Sequence, residues 1–169
     1  KKAIKAREFE VDRKARFKKG SGLPLRIPVI EMVEIGAGGG SIARVNKLEQ
    51  IITGPDSAGS FPGPACYNNG GEKPTITDAD LVIGKINPDN FAGGKISLSK
   101  DLANQAIKKN ISEIVKMDNE TAALAISEIV DETMSNAARV HTVEQGHETS
   151  NRTLIAFGGA APLHIARVA

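Results

Sequence analysis

The sequence predicts an α/β layer architecture. Three observations carry that expectation. Runs rich in Ile and Val, with strand character, lie at residues 25–35, 42–53 and 153–157. Two amphipathic helical stretches lie between the second and third of these runs. Aromatic residues are scarce, with five Phe, one Tyr and no Trp in 169 residues. The core must then come from Ile, Val, Leu and Ala, as in sheets covered by helices.

Taken in order, residues 3–19 are charged, with Phe9, Val11 and Phe17 on odd positions, which reads as one or two exposed strands. Gly20-Ser21-Gly22 makes a turn, so residues 1–23 form an exposed strand or hairpin segment and residues 24–169 the main body. Residues 25–35 follow as a strand-like run, whose first half Pro28 confines to an edge or lead-in position. Gly36-Ala37-Gly38-Gly39-Gly40-Ser41 interrupts it at once. Residues 42–45 read as a short returning strand, Asn46-Lys47 as a turn and residues 48–53 as the next strand. Residues 54–78 hold five glycines and four prolines without a period, and read as a long ordered loop. Ser99 caps a helix that carries Ala103, Ile107, Ile111, Ile114 and Val115 at helical spacing. Asp118 caps a second helix, with a stripe of Ala122, Ile126, Ile129, Val130, Thr133, Ala137 and Val140 and an end near Gly146. Residues 153–157 read as a buried strand, broken by Gly158-Gly159-Ala160-Ala161-Pro162. Residues 163–169 open a helix, and Pro162 suits its first turn because the N–H it lacks would have been unpaired there.

The net charge of +2 is too small to imply a nucleic-acid or membrane partner, and few aromatics means no stacking platform for single strands. Positive charge gathers at Lys1, Lys2, Lys5, Arg7, Arg13, Lys14, Arg16, Lys18 and Lys19, either as a solvated end or as a surface for an anionic partner. A lone Cys66 excludes an internal disulfide. No apolar run approaches the roughly 18 residues of a membrane span, and no signal peptide is apparent. A cytoplasmic location is expected, and the Asn-x-Ser/Thr triplets at Asn110, Asn119 and Asn151 are read as chance. The chain starts at Lys1 and stops inside the apolar residues 165–169, which reads as an internal piece of a larger enzyme.

Two glycine segments are candidates for chemistry. Gly36, Gly38, Gly39, Gly40 and Ser41 lie between two expected strands, where successive N–H groups can form an anion nest and Ser41 can donate. A bulged hairpin is the alternative. The segment is not a strand-to-helix loop, so neither the dinucleotide fingerprint nor the Walker loop fits. Gly158 and Gly159 stand between an expected strand and a helix. They can offer a flat surface to a base or ribose, with the helix N-terminus adding positive dipole; a tight turn is the alternative. A strand–glycine loop–strand hairpin, then helices, then strand–Gly-Gly–helix, is the order of parts in actin-like ATPase domains.

The wording of these segments closely resembles the hydantoinase/oxoprolinase family, in its A (ATPase-type) subunit. The resemblance rests on Glu34-Ile35-Gly36-Ala37-Gly38-Gly39-Gly40-Ser41-Ile42-Ala43 and on Gly54-Pro55-Asp56-Ser57-Ala58-Gly59 with Pro62-Gly63-Pro64-Ala65-Cys66-Tyr67 after it. Residues 74–84, Pro-Thr-Ile-Thr-Asp-Ala-Asp-Leu-Val-Ile-Gly, and residues 156–164, Ala-Phe-Gly-Gly-Ala-Ala-Pro-Leu-His, complete it. It runs from about Pro24 to the end in one register. It implies an incomplete actin-like (ribonuclease H-like) subdomain and ATP-dependent opening of a cyclic amide such as a hydantoin or 5-oxoproline. ATP would phosphorylate the amide carbonyl oxygen, and water would then open the ring. The resemblance further implies Mg²⁺ or another divalent metal, a B-type subunit or region as partner, and an oligomer. Carried over, Gly36, Gly38, Gly39, Gly40 and Ser41 fall near the phosphates, and Gly158 and Gly159 by the adenosine. Asp78 and Asp80 become the carboxylates for a metal, an attacking water or a structural turn. His164 would act on substrate or cap its helix. Cys66 is not expected to be a nucleophile, since the proposed chemistry needs no thiol.

The chain departs from the family wording in three places. Ala161 stands where Gly is usual, Asp80 where Asn is common, and Thr149-Ser150-Asn151-Arg152 replaces an Asp-Pro-Arg lead into the strand. Two upstream Gly-Gly-Thr motifs with their aspartates are absent, so no ATP hydrolysis is expected of this piece alone. An ATP-dependent ketone carboxylase and a non-catalytic nucleotide-binding module are the competing readings.

Overall fold

The structure is a computed structural model that describes residues 5–6, 9–11, 14, 20–26, 29–30 and 33–169. The expectations for Phe17, Pro28 and most of the N-terminal basic residues lie outside that set. The chain divides into two units, residues 1–35 with 137–151, and residues 36–136 with 152–169.

In the first unit, β1 (Lys5–Ala6) pairs antiparallel with β4 (Val29–Ile30), and β2 (Phe9–Val11) with β3 (Leu23–Leu25). The second unit holds the core and both glycine segments. There β5 (Ser41–Val45) and β6 (Ile51–Ser57) form an antiparallel hairpin with a bulge between Ser41 and Ala43. The second strand starts three residues later than the sequence predicts, because Asn46 builds a wider turn. Its Oδ1 accepts from the N–H groups of Leu48 and Gln50.

The expected long loop at 54–78 is shorter. Strand β6 runs on to Ser57, a 3₁₀ turn covers Ala65–Tyr67, and helix α1 (Ile76–Val82) begins inside the predicted loop. A capping box starts α1, in which Thr75 and Asp78 exchange hydrogen bonds. The helix is buried on every side, which hides the periodicity that would have announced it. Gly84, at φ +81°, ends it in a left-handed turn. The Lys85 N–H then bonds the Asp80 carbonyl and the Gly84 N–H the Leu81 carbonyl.

Helix α2 (Lys100–Ile107) starts at Ser99, whose Oγ accepts from the Leu102 N–H as expected. It continues through a π turn at Lys108–Ser112 into α3 (Glu113–Val115), where Lys116 turns left-handed. Helix α4 (Asn119–Glu144) starts at Asp118, which accepts from the Thr121 N–H, and runs 26 residues to the Gly146 turn. Ala103, Ile107, Ile111, Ala122, Ile126 and Val130 join Ile76, Ala79 and Leu81 in one aliphatic core, as the composition required. Among the described residues no helix is long and apolar enough to cross a membrane.

Residues 153–157 do not form the predicted strand. A strand needs a neighbour to satisfy its ladder, and among the described residues none lies beside it. Leu154, Ile155 and Phe157 are instead 46%, 81% and 93% exposed. Helix α5 (Ala161–Val168) follows, with Pro162 in its first turn.

Candidate functional site

The glycine run is bound tightly to its own chain. Ser41 is buried, and its hydroxyl donates to the Gly36 carbonyl and accepts from the Gly38 N–H, both at 3.1 Å. The Gly39 carbonyl accepts from the Thr77 hydroxyl and the Thr77 N–H, each at 2.9 Å. The Gly40 carbonyl accepts from the Ala58 N–H at 2.8 Å. A methyl group on Gly39 would meet Thr77 Oγ1 at 2.6 Å, and one on Gly40 would meet Ser57 Oγ at 2.9 Å. No room is left for a side chain at either position, because Thr77 of α1 stands against Gly39 and Ser57 at the end of β6 against Gly40. Gly38 differs, since nothing lies within 4 Å of where its methyl group would stand. The same open space surrounds Gly158 and Gly159. Among the described residues no hydrogen bond joins the two glycine segments.

Asp78 is fully buried at the base of this assembly. Its Oδ1 accepts from the Cys66 N–H at 2.7 Å. Its Oδ2 accepts from the N–H groups of Ala65 and Thr75 and from the Thr75 hydroxyl. The carboxylate thus ties the Pro-Gly-Pro-Ala-Cys turn to the start of α1, and both oxygens are committed. Cys66 packs beside it; burial above all, then the Asp78 charge, pushes its thiol well above the usual range. Burial and a raised pKa keep it in the thiol form.

Asp80, two residues on, faces a second buried group. His164 of α5 is fully buried between two carboxylates. Its Nδ1 donates to Asp131 Oδ1 of α4 at 2.6 Å. Its Nε2 lies 3.2 Å from Asp80 Oδ2, an ion-pair contact whose angle falls short of a hydrogen bond. Ser127 Oγ donates to Asp80 Oδ1 at 3.1 Å and accepts from Lys85 Nζ at 2.7 Å. That ammonium is 3.8 Å from Asp80 and 3.9 Å from Asp131. An open cleft of ≈ 310 Å³ lined by Glu128, Asp131, Glu132 and Arg167 lies over the Asp131 side.

The contact with Asp80 raises the His164 pKa; burial and Lys85 oppose it, while the Asp80 charge and the bond to Asp131 add to it. An imidazolium here, with Lys85, balances the two aspartates. Because the folded pKa lies above the unfolded one, this pair of contacts stabilises the fold fully below the unfolded value of about 6.5. The contribution is lost as pH rises through the folded value. Denaturant midpoints measured from pH 6 to 9 are therefore expected to fall with pH, and to fall less in His164→Gln.

The sequence reading placed Asp80 and His164 in the site but not that they meet. It missed Lys85, Ser127 and Asp131 altogether. A signal was present: Ser127 and Asp131 are four residues apart on the same apolar face as Ala123, Ile126 and Val130, and polar groups on such a face need partners. Among the described residues no three His, Cys, Asp or Glu side chains converge as a metal site. Asp78 and Asp80, with their oxygens engaged, do not fit one.

Comparison with known proteins follows the same segments. An uncharacterized protein of Methanocaldococcus jannaschii is 44% identical over 149 residues, covering 88% of this chain and 22% of the relative. The nucleotide-free structure of acetone carboxylase, described as ATP-dependent, superposes at TM-score 0.80 with 32% identity over 90% of this chain and 22% of its own. The ATP-dependent caprolactamase of Pseudomonas jessenii superposes at 0.79 with 36% identity over 91% of this chain and 22% of its own. The chain thus spans 22% of the length of each of these proteins. The family model for hydantoinase/oxoprolinase matches residues 2–169, and the chain belongs to that family.

Proposed function

We propose that this chain is part of a larger ATP-dependent enzyme that opens a cyclic amide, of the hydantoin or 5-oxoproline type. The family match over residues 2–169 carries this reading, supported by the likeness to an ATP-dependent caprolactamase. The chain forms one wall of an actin-like nucleotide site. Gly38, Gly158 and Gly159 are its contact points within the two glycine segments, a reading supported by the absence of any atom within 4 Å of where a methyl group on each would stand. When bound, ATP supplies the phosphoryl group that makes the amide carbonyl oxygen a leaving group. Asp78 holds the glycine run through α1, while Asp80 and His164 hold the helix after Gly159. These three side chains act by position, since all three are buried away from a substrate. Among the described residues this chain offers no ligand set for a divalent metal. A B-type subunit or region completes the enzyme, which works as an oligomer.

A carboxylase of ketones is the second reading, favoured by the likeness to acetone carboxylase at TM-score 0.80. Calorimetry with ATP and ADP, with and without Mg²⁺, tests the shared part on this chain and on the whole protein. Tight binding by the whole protein and weak or no binding by the chain alone is expected. Absence of binding by both would reduce the glycine segments to parts of the fold. Ring-opening assays with hydantoin and 5-oxoproline, against carboxylation of acetone, then separate the two chemistries.

A further inference from the structure

Residues 152–169 are anchored in an unusual way. No apolar side chain among them belongs to the buried core, and those of Leu154, Ile155 and Phe157 are exposed. Among the described residues their polar side-chain contacts with the rest of the unit number two. One is Arg167 with Glu128 at 2.8 Å, both more than half exposed and so worth little. The other is His164 with Asp80 and Asp131. Leu163, Ile165 and Val168 are half-buried, and His164, close after Gly159, is the one fully buried side chain of the segment and its main polar anchor.

His164 is held in turn by charges that come from three places in the chain. Asp80 sits near the end of α1, and Ser127 and Asp131 sit on α4. Lys85 reaches the group because the left-handed Gly84 turns the chain back onto α1. Its ammonium lies within 4 Å of both carboxylates and bonds Ser127. Without Lys85, two nearly buried carboxylates would share one imidazolium, which favours their separation and release of α5.

We propose that Lys85 and Asp131, with Ser127, are positioning residues of the nucleotide site, which lock His164 and through it the Gly158–Gly159 loop. This rests on the reading that Gly158–Gly159 lies against the nucleotide. The loop would be binding-competent only while α5 is docked, so ATP affinity should scale with the docked fraction.

The test uses the whole protein with its partner subunits. ATP affinity and amide hydrogen exchange are measured for wild type, Lys85→Met, Lys85→Arg, Asp131→Asn and Gly159→Ala. Lys85→Met is expected to weaken ATP binding by about tenfold and to speed exchange in residues 153–165 alone. Lys85→Arg, which restores the charge, should bind within about threefold of wild type. Asp131→Asn keeps the shape but removes a charge that holds His164; it is expected to weaken ATP binding and speed exchange in residues 153–165 alone, and it carries the test if Lys85→Met does not fold. If Gly159→Ala weakens ATP binding while Lys85→Met and Asp131→Asn bind as wild type does, the positioning role is overturned and the nucleotide reading stands. If Gly159→Ala also binds unchanged, the reading of that loop fails and the proposal fails with it. Exchange that speeds throughout the protein, with no rescue by arginine, would mark a structural role only and overturn the proposal.

Discussion

Asp78→Ala should unfold the second unit or bring it close to unfolding. The carboxylate accepts from the Ala65, Cys66 and Thr75 N–H groups and from the Thr75 hydroxyl, all buried. Hydrogen bonds to a charged group contribute roughly 1.5–3 kcal/mol each, and they do not add in full. Removing the acceptor also leaves these donors without water. A loss of about 4 kcal/mol or more is expected, against a total of roughly 5–15 for a domain. Asp78→Asn should cost less, since one oxygen remains, but its amide N–H₂ would face donors on the other side. Denaturant unfolding of this chain, and of the whole protein, measures both. The outcome separates two roles that the sequence left open. A residue that only did chemistry would give a variant with unchanged midpoint and no turnover. A residue that ties the Pro-Gly-Pro-Ala-Cys turn to α1 gives a lowered midpoint, and loses nucleotide binding only as the fold is lost.

That ambiguity shows what the sequence could and could not tell. Helices α2, α4 and α5 were legible because one face of each is apolar and their starts carry Ser99, Asp118 and Pro162. Helix α1 was not, since all seven of its residues are buried and a one-sided pattern never arises. The Thr75-x-x-Asp78 pair was the remaining signal; by sequence Asp78 stands as a carboxylate for a metal, an attacking water or a structural turn, and the fold makes it half of a capping box. The apolar residues 153–157 do read as a strand, but strand formation depends on a neighbour and not on composition alone. The ionic group around His164 joins residues 80, 85, 127, 131 and 164, and such a meeting is set by helix packing, which no local spacing encodes. Local patterns thus gave most helices and both glycine segments, while the partners of each buried charge needed the fold.

The glycines themselves should divide by experiment into two classes. Gly71→Ala should be the most damaging, because a methyl group there would overlap the backbone carbonyl of Gly63, which cannot rotate away. Gly39→Ala should also be damaging: its methyl would stand 2.6 Å from Thr77 Oγ1, the hydroxyl that bonds the Gly39 carbonyl. Overpacking of this kind costs about 1–3 kcal/mol, and Gly71 should reach the upper end or pass it. Gly38→Ala and Gly159→Ala meet open space, and neither residue has a left-handed φ, so both should lie within about 1 kcal/mol of wild type. Gly158 is a poorer probe because its φ of +96° strains any other residue. If the open glycines face the nucleotide, Gly38→Ala and Gly159→Ala should weaken ATP binding by the whole protein about tenfold or more, through loss of close backbone approach. Thermal midpoints and calorimetric affinities on the same four variants decide the matter. Normal affinity in both stable variants would mean that the run from Gly36 to Ser41 is glycine-rich for chain packing alone, and the nucleotide would have to sit elsewhere in the enzyme.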